Sequence, residues 1–162
     1  MATNSSTPPH AFALAAREGR TQEALNILGA DVLVKLGIPD TDGSLALFHQ
    51  TLPYMAGPPL HRHSHEDEWF YVLDGEITAV IDDQRIIVSA GGSAFAPRGT
   101  AHTFQNFHHA PVHMLVMVNP GNFQRFFEQL SALNRGLPVP DLVQTEKLMN
   151  DYGIDLLGPS LS

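Results

Sequence analysis

The amino-acid sequence predicts an all-β domain, either an antiparallel sandwich or a barrel. From residue 27 onward, short apolar runs alternate with turn residues, as in ILGADVLVKLGI, PDTDG, SLALFHQTL and PYMAGPP. The same rhythm continues through WFYVL, DG, EITAVI, DDQ, RIIVS, AGG and SAFAP and reaches VHMLVMV at residue 118. Short apolar runs divided by Gly, Pro, Asp and Asn are typical of strands joined by tight turns. Many such strands in succession indicate a two-sheet β architecture.

Length and composition narrow the class of protein. The 162 residues are enough for one domain with a substantial core. The chain has no cysteine, so disulfides and thiolate chemistry are excluded and a bound metal must be held by His, Asp or Glu. The net charge of -8, with no local Lys/Arg cluster, argues against a nucleic-acid partner. Because no run of eighteen apolar residues and no secretory signal pattern occurs, we expect a soluble, cytoplasmic protein without a membrane partner.

The segment before the strands has a different composition. Residues 1–9 are polar and end in two prolines, which is typical of a disordered tail. The segment HAFALAAREGRTQEALN is rich in Ala, Leu, Glu and Arg and predicts a helix or two short turns broken at Gly19. We therefore expect a tail with a possible helix over residues 1–25, followed by a β-barrel over residues 26–120.

Two segments after the strands have the spacing of helices. The first, NFQRFFEQLSALN, begins behind a possible Asn122 cap, and the second, DLVQTEKLMNDYG, begins at a possible Asp141 cap and stops at Gly153. One face of the first segment carries Phe123, Phe126, Phe127 and Leu130. Such an apolar stripe is ordinarily a packing face, so we expect residues 121–162 to form a helical extension packed on the outside of the barrel.

A cluster of histidines and carboxylates in GPPLHRHSHEDEWFYVLDGE is the clearest chemical signal. Successive side chains on a strand alternate between its faces, so His61, His63 and His65 would point the same way. Two imidazoles spaced in this way are well placed to converge on one metal ion. The competing interpretation is that these histidines are solvated surface residues.

The carboxylate that would join the histidines is ambiguous. On an unbroken strand, Asp67 shares the face of the histidines, whereas Glu66 and Glu68 lie on the opposite face. Strand parity alone therefore selects Asp67. Glu68 becomes a ligand only if the chain bends or bulges between His65 and Glu68, which the polar sequence SHED permits.

A second cluster lies in AGGSAFAPRGTAHTFQN, where a tight turn precedes a strand that opens with His102. Together the two stretches resemble the two motifs of the cupin superfamily. The second motif, with its fixed Gly, Pro, Gly, His and Asn, is met by Gly91, Pro97, Gly99, His102 and Asn106. The first motif, with its two His, Glu and Gly, is met by His61, His63, Glu68 and Gly75.

One position departs from the family pattern. The family often has a Gly six residues before its first His, but Met55 stands there and Gly57 lies two residues later. If Gly57 were in register, His63 and His65 would form the pair, and the Glu position would fall on Trp69 or Phe70. Because neither Trp nor Phe can replace the Glu, we retain the register of His61, His63 and Glu68.

The resemblance implies a cupin double-stranded β-helix, a jelly-roll barrel with short helices at the C-terminus and possibly at the N-terminus. The sequence is similar to the small single-domain cupins grouped with quercetinases. By this resemblance, the metal ligands are His61, His63, Glu68 and His102, and Glu68 is also the catalytic base. The remaining histidine of the cluster, His65, either supports a ligand from outside the metal shell or lies exposed in a loop.

The function implied by the resemblance is that of a metal-dependent dioxygenase acting on a flavonol-like or enol/diketone small molecule with dioxygen. A non-catalytic metal- or ligand-binding cupin and a non-oxidative isomerase, lyase or cyclase remain alternatives. Imidazole and carboxylate ligands suit Fe, Mn, Co, Ni and Zn alike. Candidates for an apolar substrate pocket, which are equally compatible with plain barrel core, are Phe70, Val72, Phe95, Phe104 and Met114.

Three further histidines lie outside the two motifs. His108 and His109 lie in the polar segment NFHHAP, which is typical of a solvated loop. His113 has no partner that the sequence identifies.

Because cupins of this type commonly associate, and exposed strand edges need to be covered, we expect a homodimer.

Overall fold

The chain folds into two antiparallel β-sheets that face each other, followed by short helices. The computed structural model describes residues 10–21 and 23–162. The first strands are β1 Leu25–Ile27, β2 Ala30–Leu36, β3 Ala46–Leu52, β4 His61–His63, β5 Asp67–Asp74 and β6 Glu76–Ile81. The later strands are β7 Gln84–Ser89, β8 Ser93–Ala96, β9 His102–Gln105, β10 Val112–Asn119 and β11 Ile154–Leu156. The helices are α1 Ile38–Thr41, α2 Gln124–Asn134 and α3 Leu142–Asp151.

The two sheets form the jelly roll that the sequence predicts. One sheet has six strands in the order β1-β2-β3-β10-β5-β8, and the other has five in the order β11-β4-β9-β6-β7. Buried and less buried side chains alternate along β3, β5 and β10, as expected for strands with one face on a core. The core between the sheets contains Val32, Val34, Phe48, Phe70, Val72, Ile77, Met114 and Val116. The all-β prediction is confirmed.

The N-terminal segment is extended instead of helical. Residues 10–21 and 23–24 form turns and bends, and residues 25–27 form strand β1. The Lys35 ammonium donates to the carbonyls of Ala15, Ala16 and Glu18, and the N–H of Arg20 donates to the carbonyl of Val34. Because backbone groups of this segment are hydrogen-bonded to the Lys35 side chain and the Val34 carbonyl of β2, the segment does not form the helix that its composition favours. The disordered tail expected over residues 1–9 lies outside the described residues.

The C-terminal region contains two helices and returns a strand to the barrel. The Asp141 carboxylate accepts a hydrogen bond from the N–H of Gln144 at 3.0 Å and caps α3, as the sequence predicts. The Asn122 cap is wrong, because a 3-10 turn at Gly121–Phe123 precedes α2. After α3, β11 pairs with β4, so the C-terminus is hydrogen-bonded to the strand that carries His61 and His63. No helix of the described residues has the length and apolar character needed to cross a membrane.

Candidate metal centre

The first motif contributes side chains from both sheets. His61 and His63 are buried on β4, while Arg62 between them points outward and pairs with Asp155 of β11. After His63 the chain bends and crosses from the five-stranded to the six-stranded sheet, where β5 begins. The alternation restarts on β5 with Glu68 buried on its inner face.

The bend explains why parity counting selects the wrong carboxylate. Asp67 lies on the outer face of β5, where it accepts hydrogen bonds from the backbone N–H and the guanidinium of Arg98. Parity holds only within one strand, and β4 and β5 are separate strands in different sheets. The structure therefore brings Glu68, rather than Asp67, to the histidines.

The second motif delivers the remaining imidazole. His102 opens β9 and is the direct strand partner of His61 on β4. The preceding turn contains Gly99, which has a φ of 85°, a conformation that favours glycine. Its N–H donates to the carbonyl of His63 at 2.7 Å. The turn is thus hydrogen-bonded to the first motif, and this contact helps to hold His102 opposite His61.

Four donor atoms converge in the interior of the barrel. Suitable ligand atoms of His61, His63, Glu68 and His102 all lie within 4.8 Å of one another, and all four residues are buried. The Nε2 atoms of His61 and His63 are 3.0 Å apart. Oε2 of Glu68 lies 3.2 Å from Nε2 of His63 and 3.0 Å from Nε2 of His102.

The outer ring nitrogens are held in place by partners behind the site. Nδ1 of His61 donates to the carbonyl of Pro59 at 2.8 Å, and Nδ1 of His102 donates to the carbonyl of Thr100 at 3.0 Å. Because a carbonyl only accepts, both Nδ1 atoms carry a proton, and both Nε2 atoms face the centre, where that of His61 presents its lone pair and that of His102 lies against the Glu68 carboxylate. Such partners are typical of metal-ligating histidines.

His63 has a different partner, the carboxylate of Glu66. Oε2 of Glu66 lies 3.4 Å from Nδ1 of His63, and both residues are buried. Neither atom has a hydrogen-bond partner of conventional geometry among the described residues. Nothing in the sequence singled out Glu66, because strand parity placed it on the face opposite the histidines.

The charges of the site favour a cation. Burial, together with the neighbouring His102 and His63, lowers the pKa of His61 to about 3, so this ring is neutral. Burial also lowers the pKa of His63, but contacts with Glu66 and Glu68 outweigh it and raise the pKa to about 9. Burial raises the pKa of Glu68, yet hydrogen bonds from His102 and His63 hold it well below its usual range.

The donor set fits a divalent metal. In a metal-free barrel, the imidazolium of His63 supplies the positive charge that the ionised Glu68 requires. A divalent cation can replace that proton and accept lone pairs from all the converging nitrogens and the carboxylate. Nitrogen and oxygen ligands of this kind suit several divalent transition metals, so the group could hold one such ion. The ligand types do not determine which metal it is.

The backbone at Met55 and Gly57 accounts for the departure from the cupin pattern. Met55 has a φ of 63°, in the left-handed region where glycine is favoured. Gly57 lies against the backbone of Phe104, and a Cβ at this position would lie only 2.0 Å from the Phe104 carbonyl oxygen. Gly57 therefore serves a close backbone approach and does not mark a shifted register.

An apolar cavity of about 70 Å³ adjoins the four convergent residues. His61, His63 and Glu68 form part of its wall. The aromatic and aliphatic part of the wall includes Ile27, Leu52, Phe104, Phe123, Phe126, Phe127, Leu130, Met149 and Ile154. Two other polar side chains in the wall are Gln50 on β3 and Thr145 on α3.

The five side chains suggested as pocket residues have different positions. Phe104 lines the cavity. Phe70, Val72 and Met114 are buried in the core between the sheets and lie outside the cavity wall. Phe95 is wrong as a pocket residue, because it is 54% exposed on the outer face of β8, beside Trp69, while Ala94 and Ala96 face inward.

Sequence reasoning missed most of the cavity wall. The Phe stripe was expected to pack on the outside of the barrel, but it contacts the buried Phe48 and His63 rings and closes the cavity beside the candidate ligands. The helical spacing of its aromatic residues could have indicated a cavity wall, because an apolar stripe of this kind can contact a ligand as well as pack against a core. Gln50 had a signal too, because it is a polar residue at a buried position in the alternation of β3.

The remaining histidines lie away from this centre. His65 is exposed, and its ring lies against Gly153. Nε2 of His108 is 3.2 Å from the Glu76 carboxylate at the surface. The ring of His109 packs on Tyr54, and that of His113 stacks on His49.

Comparison with known proteins agrees with this architecture. A family model described as "Cupin domain" matches residues 48–118. The chain is 34% identical over 70 residues to quercetin 2,3-dioxygenase of Bacillus subtilis, a match that covers 43% of this chain and 20% of that protein. It is 39% identical over 51 residues to an oxidoreductase of Pestalotiopsis fici, covering 31% of this chain and 25% of that protein. These matches therefore span a quarter or less of each relative.

Solved structures show the same fold. A predicted oxalate decarboxylase from Thermotoga maritima superposes with a TM-score of 0.60 at 19% identity, covering 67% of this chain and 99% of that chain. A sugar phosphate isomerase from a cupin superfamily, from Silicibacter pomeroyi, superposes with a TM-score of 0.51 at 27% identity, covering 65% of this chain and 67% of that chain.

Proposed function

Because the chain belongs to the cupin superfamily, we propose that it is a metal-dependent dioxygenase of the quercetinase type. Its substrate is a flavonol-like or enol/diketone small molecule. The observation that carries the proposal is the convergence of the His61, His63 and His102 rings with the Glu68 carboxylate beside an apolar cavity. The sequence similarity to quercetin 2,3-dioxygenase supports the same reaction class.

In this proposal, His61, His63, Glu68 and His102 hold one divalent transition metal. When bound, the metal would act as a Lewis acid toward a substrate oxygen and supply the redox chemistry for reaction with dioxygen. The carbonyls of Pro59 and Thr100 orient two of the rings. They hold the Nε2 atoms of these rings toward the centre, where a metal would bind.

Glu68 is the proposed base. Hydrogen bonds from His102 and His63 hold its pKa low and keep the carboxylate ionised, and a bound metal would acidify an enolic hydroxyl so that this carboxylate can accept its proton. Its Oε2 atom contacts two histidines, while its Oε1 atom forms no hydrogen bond with the described residues. Glu68 also forms part of the cavity wall. A base in this position can act on a hydroxyl that approaches through the cavity.

The apolar wall has a role in this chemistry as well. Phe104 and the aromatic side chains of α2 place apolar surface beside Glu68 in the cavity wall. A site without bulk water strengthens electrostatic contacts with a bound enolate and suppresses its reprotonation. Such surroundings suit a reaction between an organic anion and dioxygen.

A non-oxidative isomerase is the second candidate function, because one similar structure is a sugar phosphate isomerase at 27% identity. A sugar phosphate carries a dianionic group, which proteins commonly bind with Arg or Lys. Among the described residues, the cavity wall contains neither Arg nor Lys. The dioxygenase proposal therefore ranks ahead of the isomerase, and a non-catalytic binding protein is the remaining outcome of the test.

The experiment is metal reconstitution followed by oxygen uptake. Protein loaded separately with Fe, Mn, Co, Ni or Zn is analysed for metal content and then assayed against flavonols and diketones. We expect uptake of dioxygen that requires both the metal and an enolic substrate. If no metal supports uptake with any substrate while the protein still binds metal, the dioxygenase proposal is wrong.

We also propose that the chain forms a homodimer. Large apolar side chains are exposed on outer strand faces, including Leu73 on β5, Ile87 on β7 and Phe95 on β8. Burial of such residues in an interface between copies would remove apolar surface from water. Sedimentation equilibrium should give a dimer at micromolar concentration, and a monomer would contradict this proposal.

A further inference from the structure

Gln50 is a buried polar side chain that has no hydrogen-bond partner among residues 10–21 and 23–162. It lies on the inner face of β3 and is only 5% exposed. Its strand neighbours are Val32 on β2 and Met114 on β10, both fully buried and apolar. The amide forms no hydrogen bond with the described residues. Because an unpaired buried amide is unfavourable, such a group points to a ligand or water that completes its hydrogen bonding.

Few polar side chains line the cavity to which Gln50 contributes. His61, His63 and Glu68 form the metal end, and Gln50 is a separate polar group in the same wall. The remaining polar side chain, Thr145, already accepts a hydrogen bond from Asn134. The rest of the wall described above is aromatic or aliphatic. A ligand in this cavity would therefore meet the candidate metal site, one amide and an otherwise apolar wall.

The size of the cavity limits what can enter it. Its volume of about 70 Å³ is roughly half of the ~150 Å³ in which an apolar protein cavity holds benzene. A three-ring flavonol is much larger than this space. Even a single ring exceeds this space, so only the hydroxyketone edge of a one-ring molecule can enter, whereas in a flavonol the two further rings flank that edge and oppose its entry.

We propose that the cavity binds a small, uncharged enolic molecule of at most one ring, and that Gln50 determines specificity by hydrogen-bonding the molecule away from its metal-binding oxygens. The inference rests on the proposed function, because it takes the His61, His63, Glu68 and His102 group as the place where the enolic oxygens bind. It excludes flavonols, which all have three rings, and retains from the proposed substrate class only small enols and diketones. The Gln50 amide both donates and accepts, so it can pair with a ring oxygen, a carbonyl or a hydroxyl.

The test compares probes that share one head group. Maltol carries a hydroxyketone on a single ring, and quercetin carries the same hydroxyketone on three rings. Binding of each to the zinc-loaded protein is measured by calorimetry without dioxygen, with fructose 6-phosphate as an anionic probe and metal content checked afterwards. We expect maltol to bind at least tenfold more tightly than quercetin or fructose 6-phosphate.

Variants of Gln50 test the specificity role. Gln50→Leu and Gln50→Met should each weaken maltol binding about tenfold, as for loss of one hydrogen bond, while metal content is unchanged. Thr51→Val is the matched control, because Thr51 is the next residue of β3 and faces outward, beside His113. Its maltol affinity should equal that of the wild type.

The outcomes separate this inference from the proposed function. Maltol binding that depends on Gln50, without oxygen uptake for any metal, supports the cavity assignment and contradicts the dioxygenase. Oxygen uptake with quercetin, together with equal affinities for both probes and no effect of the Gln50 variants, supports the dioxygenase and overturns the inference. Tighter binding of fructose 6-phosphate than of maltol overturns it as well.

Discussion

The barrel carries two groups of histidines in ring contact, one on its inner surface and one on its outer surface. The inner group consists of His61, His63 and His102, whose ring centroids lie 4.4 to 5.3 Å apart. The outer pair consists of His49 on β3 and His113 on β10, with ring centroids 5.4 Å apart. In both places, neighbouring strands bring imidazoles into ring contact, but only the inner group includes a carboxylate.

The difference shows that contact between imidazoles does not by itself make a metal site. Two inner rings donate their Nδ1–H to a carbonyl located two residues earlier in the chain, that of Pro59 for His61 and that of Thr100 for His102. In the outer pair, Nδ1 of His49 is buried without a partner among the described residues. What distinguishes the inner group is the fixed direction of its lone pairs and the convergence of Glu68.

The largest expected effect is the loss of metal when an inner ring is removed. His61→Ala, His63→Ala and His102→Ala should each lower metal affinity by more than the roughly 10–100-fold that loss of an outer-sphere partner costs. Metal analysis after dialysis measures this. The paired controls are His49→Ala and His113→Ala, which should retain the wild-type metal content. Metal loss in those controls to the same degree would remove the distinction between the two groups.

A substitution of Glu68 tests whether the carboxylate distinguishes the inner histidines from the outer pair. Glu68→Gln keeps the shape of the side chain and one weak oxygen donor but removes its basicity. The three rings should still retain some metal, while turnover falls by roughly 10²–10⁴-fold, as for loss of a general base. Steady-state oxygen uptake, corrected for metal content, measures the effect. Turnover near the wild-type rate would exclude Glu68 as the base.

A smaller effect is expected from Glu66, which acts on the site through His63. Glu66→Gln should lower metal affinity by about 10–100-fold, because Nδ1 of His63 loses the carboxylate that lies 3.4 Å away. Competition with a chelator of known affinity measures the change. His65→Ala is the control on the adjacent exposed residue, and it should leave metal affinity close to wild type. The reverse result would assign the supporting role to His65.

The fold and the motif residues could be predicted because their signals are local. Short strands, tight turns and the fixed spacing around His61 and His102 are properties of the sequence itself, and the turn at Gly99 needs only a few residues to form. The cavity wall is non-local, because Gln50 and the Phe stripe of α2 meet only after the C-terminal helices pack against the barrel. Phe95 was misplaced for a related reason, since apolar character does not reveal which face of a strand points inward.

The smallest expected effect is that of Asp67→Asn. This variant tests whether Asp67 and Glu68, which are neighbours in the chain, have different roles because they lie on opposite faces of β5. A side-chain hydrogen bond and a backbone hydrogen bond from Arg98 lower the pKa of Asp67 to about 2, below the value of about 3.9 in an unfolded chain. The contribution of this pair to stability is therefore complete above about pH 4 and is lost as the pH falls toward 2.

Asp67→Asn should remove this acid-side dependence while leaving metal content and turnover unchanged, because Asp67 lies on the outer face of β5. The exposed pair contributes little at neutral pH, since water and salt screen surface charges. Thermal unfolding of the metal-free protein between pH 2 and 7 should thus show a slightly lower melting temperature for the variant above pH 4, and this small difference should close as the pH falls toward 2. Abolished turnover in Asp67→Asn, with Glu68→Gln still active, would transfer the catalytic role to the carboxylate that strand parity selected.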